Sequence, residues 1–156
     1  MVNENLLLGA FYAGGVSDLV FIEWKMDAQL YTEVLKEGLL PMFTKHGLDR
    51  EYYIFQEDGD PKHQSKLAKK WKKNQQINFL ENWPPYSPDL NPIENLWSII
   101  KRRVGCRKPA GVEEAKQFLL EEWRRLEADG KLVQLIHSMP KRCSEVIKTK
   151  GYPTKY

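Results

Sequence analysis

The run Tyr86-Ser-Pro-Asp-Leu-Asn-Pro-Ile-Glu-Asn-Leu-Trp97 constrains this chain more than any other stretch. Two prolines and an Asx-rich turn deliver a helix. Asn91 is a good N-cap, and Pro92 suits the first helical position, where its missing N–H would be an orphan anyway. From Ile93 on, apolar residues recur at 93, 96, 97, 100 and 104, one face of a helix expected to run to about Arg103. Glu94 lies in the first turn, beside that face. Upstream, Tyr52-Tyr-Ile-Phe-Gln56 reads as a strand with Asp58 just past its end. An acid at a strand end and an acid at a helix start can meet over the edge of an α/β sheet.

The rest of the chain fits such a sheet. Leu6 to Tyr12 and Leu19 to Glu23 read as strands joined by a turn at Ala13-Gly14-Gly15, a β-hairpin. Asp27 starts a helix with Leu30, Tyr31, Val34, Leu35 and Leu39 inward, and Pro41 falls at or after its end. Gly47 to Arg50 is loop. The bulky Tyr52–Gln56 run lacks polar alternation, as a strand covered on both faces would. A helix over 64–74 turns Leu67 and Trp71 inward and crowds Lys66, Lys69, Lys70, Lys72 and Lys73 around the rest. Ile77 to Leu80 is a short fourth strand, and 81–91 an irregular loop. Helices follow over 112–128 and 131–138. Met139-Pro140 breaks the chain before a last helix over 143–150, and the tail is frayed. The pattern is one α/β domain with a mixed sheet, because its first strands form a hairpin.

The 156 residues suffice for one core, with 42% hydrophobic and 29% charged residues. A net charge of +3 leaves any nucleic-acid partner to the distribution of Lys and Arg. Cys106 and Cys143 have no metal-like spacing and read as free thiols. No apolar run approaches membrane-spanning length, and the first residues lack the pattern of a secretory signal.

If Asp58 and Glu94 meet, their repulsion favours cations. Mg²⁺ takes one or two protein carboxylates plus water and phosphate oxygens. Two such ions roughly 3.5–4 Å apart can activate a nucleophile and stabilise the leaving oxygen of a phosphodiester. A two-ion site normally needs a third acid. Spacing alone also allows a plainer reading: Glu94 completes a capping box with Asn91, and Asp58 is a turn residue.

The motifs are more specific than the spacing. Phe55-Gln-Glu-Asp-Gly-Asp-Pro-Lys-His63 and Asn82-Trp-Pro-Pro-Tyr-Ser-Pro-Asp-Leu-Asn-Pro-Ile-Glu-Asn-Leu-Trp97 closely resemble the catalytic domain of mariner-superfamily DDE transposases. Residues 9–23, 26–31 and 138–151 are similar to that family's corresponding segments, so the resemblance covers nearly the whole chain. It implies a ribonuclease-H-like fold. It also implies a Mg²⁺-dependent enzyme, with Mn²⁺ as substitute, that nicks transposon ends and joins the 3′-hydroxyl to target DNA. On that reading Asp58 is the second metal-binding acid and Glu94 the third. Nuclear work on DNA, a homo-oligomer or a longer transposase as partner, and no membrane go with it.

The sequence departs from the family in three ways. The family's first catalytic Asp sits on a central strand upstream of the segment resembling Leu6–Tyr12, and Glu4 and Asp18 flank the wrong strand. The helix-turn-helix region that reads terminal repeats is also absent from these residues. The Asp58–Glu94 spacing is one residue longer than the commonest, the extra residue falling in Glu81-Asn82-Trp83. The expectations are weak Mg²⁺ binding and no strand transfer by these residues alone. The missing strand would lie between the hairpin and Tyr52–Gln56, leaving two exposed inner edges and an unstable fold. A decayed transposon copy or a truncated gene model would account for this equally.

The lysine-rich helix is placed to hold DNA phosphates, through Lys62, His63, Lys66, Lys69, Lys70 and Lys73. Lys101, Arg102 and Arg103 extend a phosphate path from Glu94, followed by Arg107 and Lys108, with Lys141 and Arg142 beyond. No base-reading element is visible, so binding should be backbone-directed. His63 touches a phosphate, orients a metal-bound water, or stabilises its turn. His46 and His137 read as structural or surface residues, Trp71 and Trp97 as core, and Trp83 as a loop anchor. Two alternatives remain: an enzyme completed in trans, and a domesticated DNA-binding or protein-interaction module whose acids are only caps.

Overall fold

The computed structural model describes residues 6–23, 25–84 and 87–156. Expectations attached to Glu4 and Tyr86 lie outside the described residues. The chain divides into two compact units, one of residues 1–10 and 17–86, the other of residues 11–16 and 87–156.

The first unit opens with β1 (Leu6–Leu8), which pairs antiparallel with β4 (Val20–Ile22) through Leu6↔Ile22 and Leu8↔Val20. The expected long strands are shorter than Leu6–Tyr12 and Leu19–Glu23. A second ladder, β2 (Phe11–Tyr12) with β3 (Gly15–Val16), forms the hairpin tip and belongs to the other unit. Between the ladders, residues 9–10 stand against residues 17–19, the extra-residue count of a bulge. At the tip, a Cβ on Gly14 would lie 2.9 Å from the Tyr12 ring, so a larger residue there would have to displace that ring.

Asp27 caps α1 (Ala28–Val34) by accepting from Leu30 N at 2.8 Å, as expected. Pro41 does not end this helix. A π-helical turn over Leu35–Leu39 carries it into α2 (Leu40–Lys45), with Leu40 N bonded to Leu35 O. A proline removes a backbone donor and crowds the carbonyl of the preceding turn, and the widened turn makes room for it. Tyr31, Val34, Leu35, Leu39, Met42 and Phe43 supply the core, with Ile22, Ala68 and Ile77.

The Tyr52–Gln56 strand shrinks to a single parallel bridge, Phe55↔Phe79, held by Phe55 N to Asn78 O at 2.7 Å and Leu80 N to Phe55 O at 3.2 Å. Tyr52 and Ile54 are 85% and 61% exposed, so this run is not covered on both faces. Its apolar composition gives strand propensity, and no ladder beyond Phe55 forms among the described residues. The Ile77–Leu80 strand likewise reduces to its bridge at Phe79.

α3 (Lys66–Asn74) begins where Ser65 Oγ accepts from Ala68 N. Its buried face is Ala68 and Lys72, both 0% exposed, whereas Leu67 is 49% exposed. The expected face is therefore rotated: the small Ala68 admits the long Lys72 stem four residues on.

In the second unit a 3₁₀ turn, Pro88–Leu90, leads into α4 (Ile93–Cys106). Asn91 does not cap it. Its backbone is extended, its carbonyl accepts from Glu94 N, and no side-chain cap bond forms at this end. The capping box with Glu94 is thus not made. Leu96 and Ile100 face the core with Trp123, Leu126 and Leu132, and Trp97 stacks on Trp123 with centroids 5.1 Å apart. α5 (Val112–Arg125) and α6 (Lys131–His137) fall where the periodicity predicts. α7 (Met139–Lys148) starts earlier than expected, because Pro140 sits in its first turn, where proline is tolerated. The tail is tied down: Thr154 N and Oγ1 both donate to Asp89 Oδ2, at 3.1 and 3.0 Å.

Candidate metal and nucleic-acid site

Asp58 follows the Phe55 bridge in a tight loop. Its Oδ1 accepts from Asp60 N at 3.1 Å, an Asx turn, and from His63 Nδ1 at 2.6 Å. The His63 bond, first among the causes, lowers the Asp58 carboxyl below its ordinary value. No hydrogen bond engages Oδ2 among the described residues, and the side chain is half exposed. One oxygen is thus anchored while the other remains available to a ligand. His63 is buried with its ring stacked on Tyr31 at 4.1 Å. Its Nε2 has no hydrogen-bond partner among the described residues.

Beneath this loop lies a polar cluster that the sequence pattern did not reveal. Glu57 is 6% exposed and accepts from Tyr31 Oη at 2.5 Å through Oε2 and from Lys72 Nζ through Oε1. Lys72 Nζ also donates to the His63 carbonyl at 3.3 Å and sits 4.4 Å from the centre of the Phe79 ring. Desolvation and the neighbouring Glu57 push the Tyr31 phenol well above its ordinary value, so it remains a donor. Lys72 therefore does not belong to the solvated lysine crowd. The available signal was Ala68 one helical turn before it.

The other α3 cations stay outside. Lys66, Lys70 and Lys73 are exposed and Lys69 half-buried. Lys73 pairs with Glu81 at 2.7 Å, and Lys62 with Asp60 at 2.7 Å.

Glu94 lies exposed in the first turn of α4, and no hydrogen bond or ion pair engages its carboxylate among the described residues. Residues on both sides are held by Arg142, which is 2% exposed. Arg142 donates to the Asp89 carbonyl from Nη1 and to Asn95 Oδ1 from Nη2, each at 2.8 Å, and to Ser138 Oγ from Nε. Desolvation pulls its guanidinium below the ordinary arginine value. Arg142 is thus a structural anchor rather than part of an exposed path. Lys101 and Arg102 are exposed on α4. Arg103 is committed to Asp129 at 2.8 Å, and Arg107 to Glu121 at 2.6 Å.

The donors fit a hard divalent cation in type: carboxylate oxygens, free and partly or fully exposed. Among the described residues no three His, Cys, Asp or Glu side chains cluster as a metal site. No described helix is long and apolar enough to cross a membrane.

Known proteins give this arrangement its context. The profile of the DDE superfamily endonucleases matches residues 6–116, more than half the chain. The chain is 36% identical over 152 residues to the Transposable element Tcb1 transposase of Caenorhabditis briggsae, covering 97% of this chain and 54% of that protein. It is 33% identical over 151 residues to the Transposable element Tc1 transposase of Caenorhabditis elegans, again with 54% of that protein covered. It therefore spans about half the length of such relatives. Among solved structures, the catalytic domain of Mos1 mariner transposase superposes with a TM-score of 0.82 at 20% identity, covering 97% of this chain and 76% of that one. The Mos1 mariner paired end complex with Mn gives the same score over 44% of its chain. The fold is ribonuclease-H-like, a mixed arrangement of helices and small sheets. The chain belongs to the mariner superfamily of DDE transposases and represents part of their catalytic domain.

Proposed function

We propose that Asp58 and Glu94 are the second and third acids of a DDE transposase centre, and that the first acid comes from outside residues 1–156. The observation that carries this is the state of the two carboxylates. Among the described residues Asp58 Oδ2 and the whole Glu94 carboxylate have no partner, while residues on either side of each are held by a buried cation. Such acids are wasted as caps and suited to a ligand. The divalent cation they hold would supply Lewis-acid stabilisation of charge on phosphate oxygens and lower the pKa of an attacking hydroxyl. The chain's own part is to present Asp58 through His63 and Asp60, and Glu94 from the first turn of α4.

Exposed Lys66, Lys70, Lys73, Lys101 and Arg102, with the half-buried Lys69, would neutralise DNA phosphates without reading bases. Lys62, His63, Lys73 and Arg103 are already engaged and have a lesser share. Transposon ends and target DNA are the substrates, and the nucleus the place of work. The exposed Tyr52 and Ile54 support a further strand lying against this run.

The test is Mg²⁺- or Mn²⁺-dependent cleavage of transposon-end DNA. Residues 1–156 alone should be inactive. Extending the chain with a segment that supplies the first strand and its acid, or mixing it with a longer relative, should give cleavage that Asp58→Asn and Glu94→Gln each reduce about a hundredfold or more. Cleavage by 1–156 alone, or undiminished cleavage by either variant of the completed enzyme, overturns the reading. DNA binding that persists with no cleavage under any completion would favour a non-catalytic DNA-binding module.

A further inference from the structure

A lysine ammonium with no exposure is rare, because desolvation of the charge is recovered only when every donor finds a partner. Lys72 satisfies that condition with one carboxylate, one carbonyl and one aromatic face: Glu57, His63 and Phe79. The positions of the first two are informative. Glu57 and His63 bound the short 57–63 segment that carries Asp58, within the loop between the Phe55 bridge and α3. Tyr31 repeats the pattern from another helix, since its hydroxyl bonds Glu57 and its ring stacks on His63. Two buried side chains, from α1 and α3, thus each touch both ends of the same short loop. His63 in turn holds Asp58 Oδ1.

We propose that Lys72 and Tyr31 form a two-point clamp that fixes the 57–63 loop and are positioning residues for Asp58. Pulling both loop ends to one ammonium sets where His63 stands, and His63 sets which Asp58 oxygen is spent and which is free. The consequence for metal binding rests on the reading of Asp58 as a metal acid. The clamp itself is measurable without metal.

The experiment is amide hydrogen exchange, with NMR of the His63 ring, on residues 1–156. It compares wild type, Lys72→Met, Tyr31→Phe and the double variant Glu57→Gln/Lys72→Met. The double variant removes both buried charges, so it should melt near wild type, as buried ion pairs replaced by neutral groups often do. The clamp predicts that amides 58–63 nevertheless exchange about tenfold faster or more in it, with the rest of α1 and α3 unchanged. It also predicts loss of the bonded Nδ1 proton signal of His63. Tyr31→Phe keeps the ion pair and the ring stack, and should raise exchange in 57–63 alone by a smaller factor. Wild-type exchange and an intact His63 signal in the double variant would overturn the clamp, leaving the pair as ordinary core. Acceleration spread evenly through the first unit would overturn it too. If Lys72→Met does not fold, the double variant carries the test, and if neither folds, unchanged exchange in Tyr31→Phe decides against it. Adding Mn²⁺ to wild type and to Asp58→Asn separates the two readings. Absence of Mn²⁺ broadening at residue 58 would count against the metal role of Asp58, while the exchange result still decides the clamp.

Discussion

The surroundings of Asp58 and Glu94 differ in one respect and agree in another. Asp58 is held by its own carboxylate: His63 and Asp60 take one oxygen and leave the other. Glu94 is held through its backbone, and its exposed side chain has no hydrogen bond or ion pair among the described residues. Yet each acid is bracketed by a buried cation. Lys72 bonds residues 57 and 63 on either side of Asp58, and Arg142 bonds residues 89 and 95 on either side of Glu94. On the reading proposed above, a buried charge that spans a metal acid trades stability for placement, once in each of the two units.

Stability measurements break this comparison most directly. Lys72→Ala strands Glu57 as an unpaired buried carboxylate and should cost about 3–5 kcal/mol in urea unfolding. Arg142→Ala leaves a carbonyl and an amide without their charged donor, and a loss of about 3 kcal/mol is expected. Glu94→Ala removes no side-chain hydrogen bond or ion pair among the described residues and should fall within about 0.5 kcal/mol of wild type, as should Lys70→Ala on the exposed face of the Lys72 helix. Equal losses for Lys70 and Lys72 would contradict the burial assigned to Lys72.

DNA binding sharpens the comparison next. Charge reversal of Lys69 and Lys70 should lower the salt dependence of DNA affinity by about two units of log–log slope, roughly one per phosphate contact. The same reversal at Lys101 and Arg102 measures the share carried by α4. A loss confined to one pair would show that only one acid stands beside the nucleic acid.

Acid sensitivity is the smallest expected effect. The Asp58 carboxyl is lowered from 3.8 in the folded state, chiefly by His63. Its contribution to stability is therefore present above the unfolded value and lost as pH falls through the lower folded value. Asp58→Asn should flatten that acid limb of the pH–stability curve, by a small amount because the group is half exposed.

Much of this was legible in the sequence. Asp27 before an apolar period gave its cap, the hairpin followed from Gly14-Gly15 between two apolar runs, and the Asn-Pro-Ile-Glu run placed Glu94 in the first turn of α4. The misreadings share a physical cause. Tyr52–Gln56 has strand composition, but a strand is made by its neighbours, and among the described residues only Phe55 finds one. Pro41 reads as a stop until the preceding helix widens. Lys72 and Arg142 read as surface because charge is the strongest sign of exposure, and their partners lie in other segments of the chain: Glu57 and His63 for one, Asp89 and Asn95 for the other.

The decisive measurement is a Mn²⁺ titration of residues 1–156, wild type against Asp58→Asn, Glu94→Gln and the double variant. If the two acids serve one metal centre, each single change should weaken Mn²⁺ affinity and the double change should cost much less than the sum of the two. Wild-type affinity in both single variants, or losses that add as for two independent sites, would contradict the account.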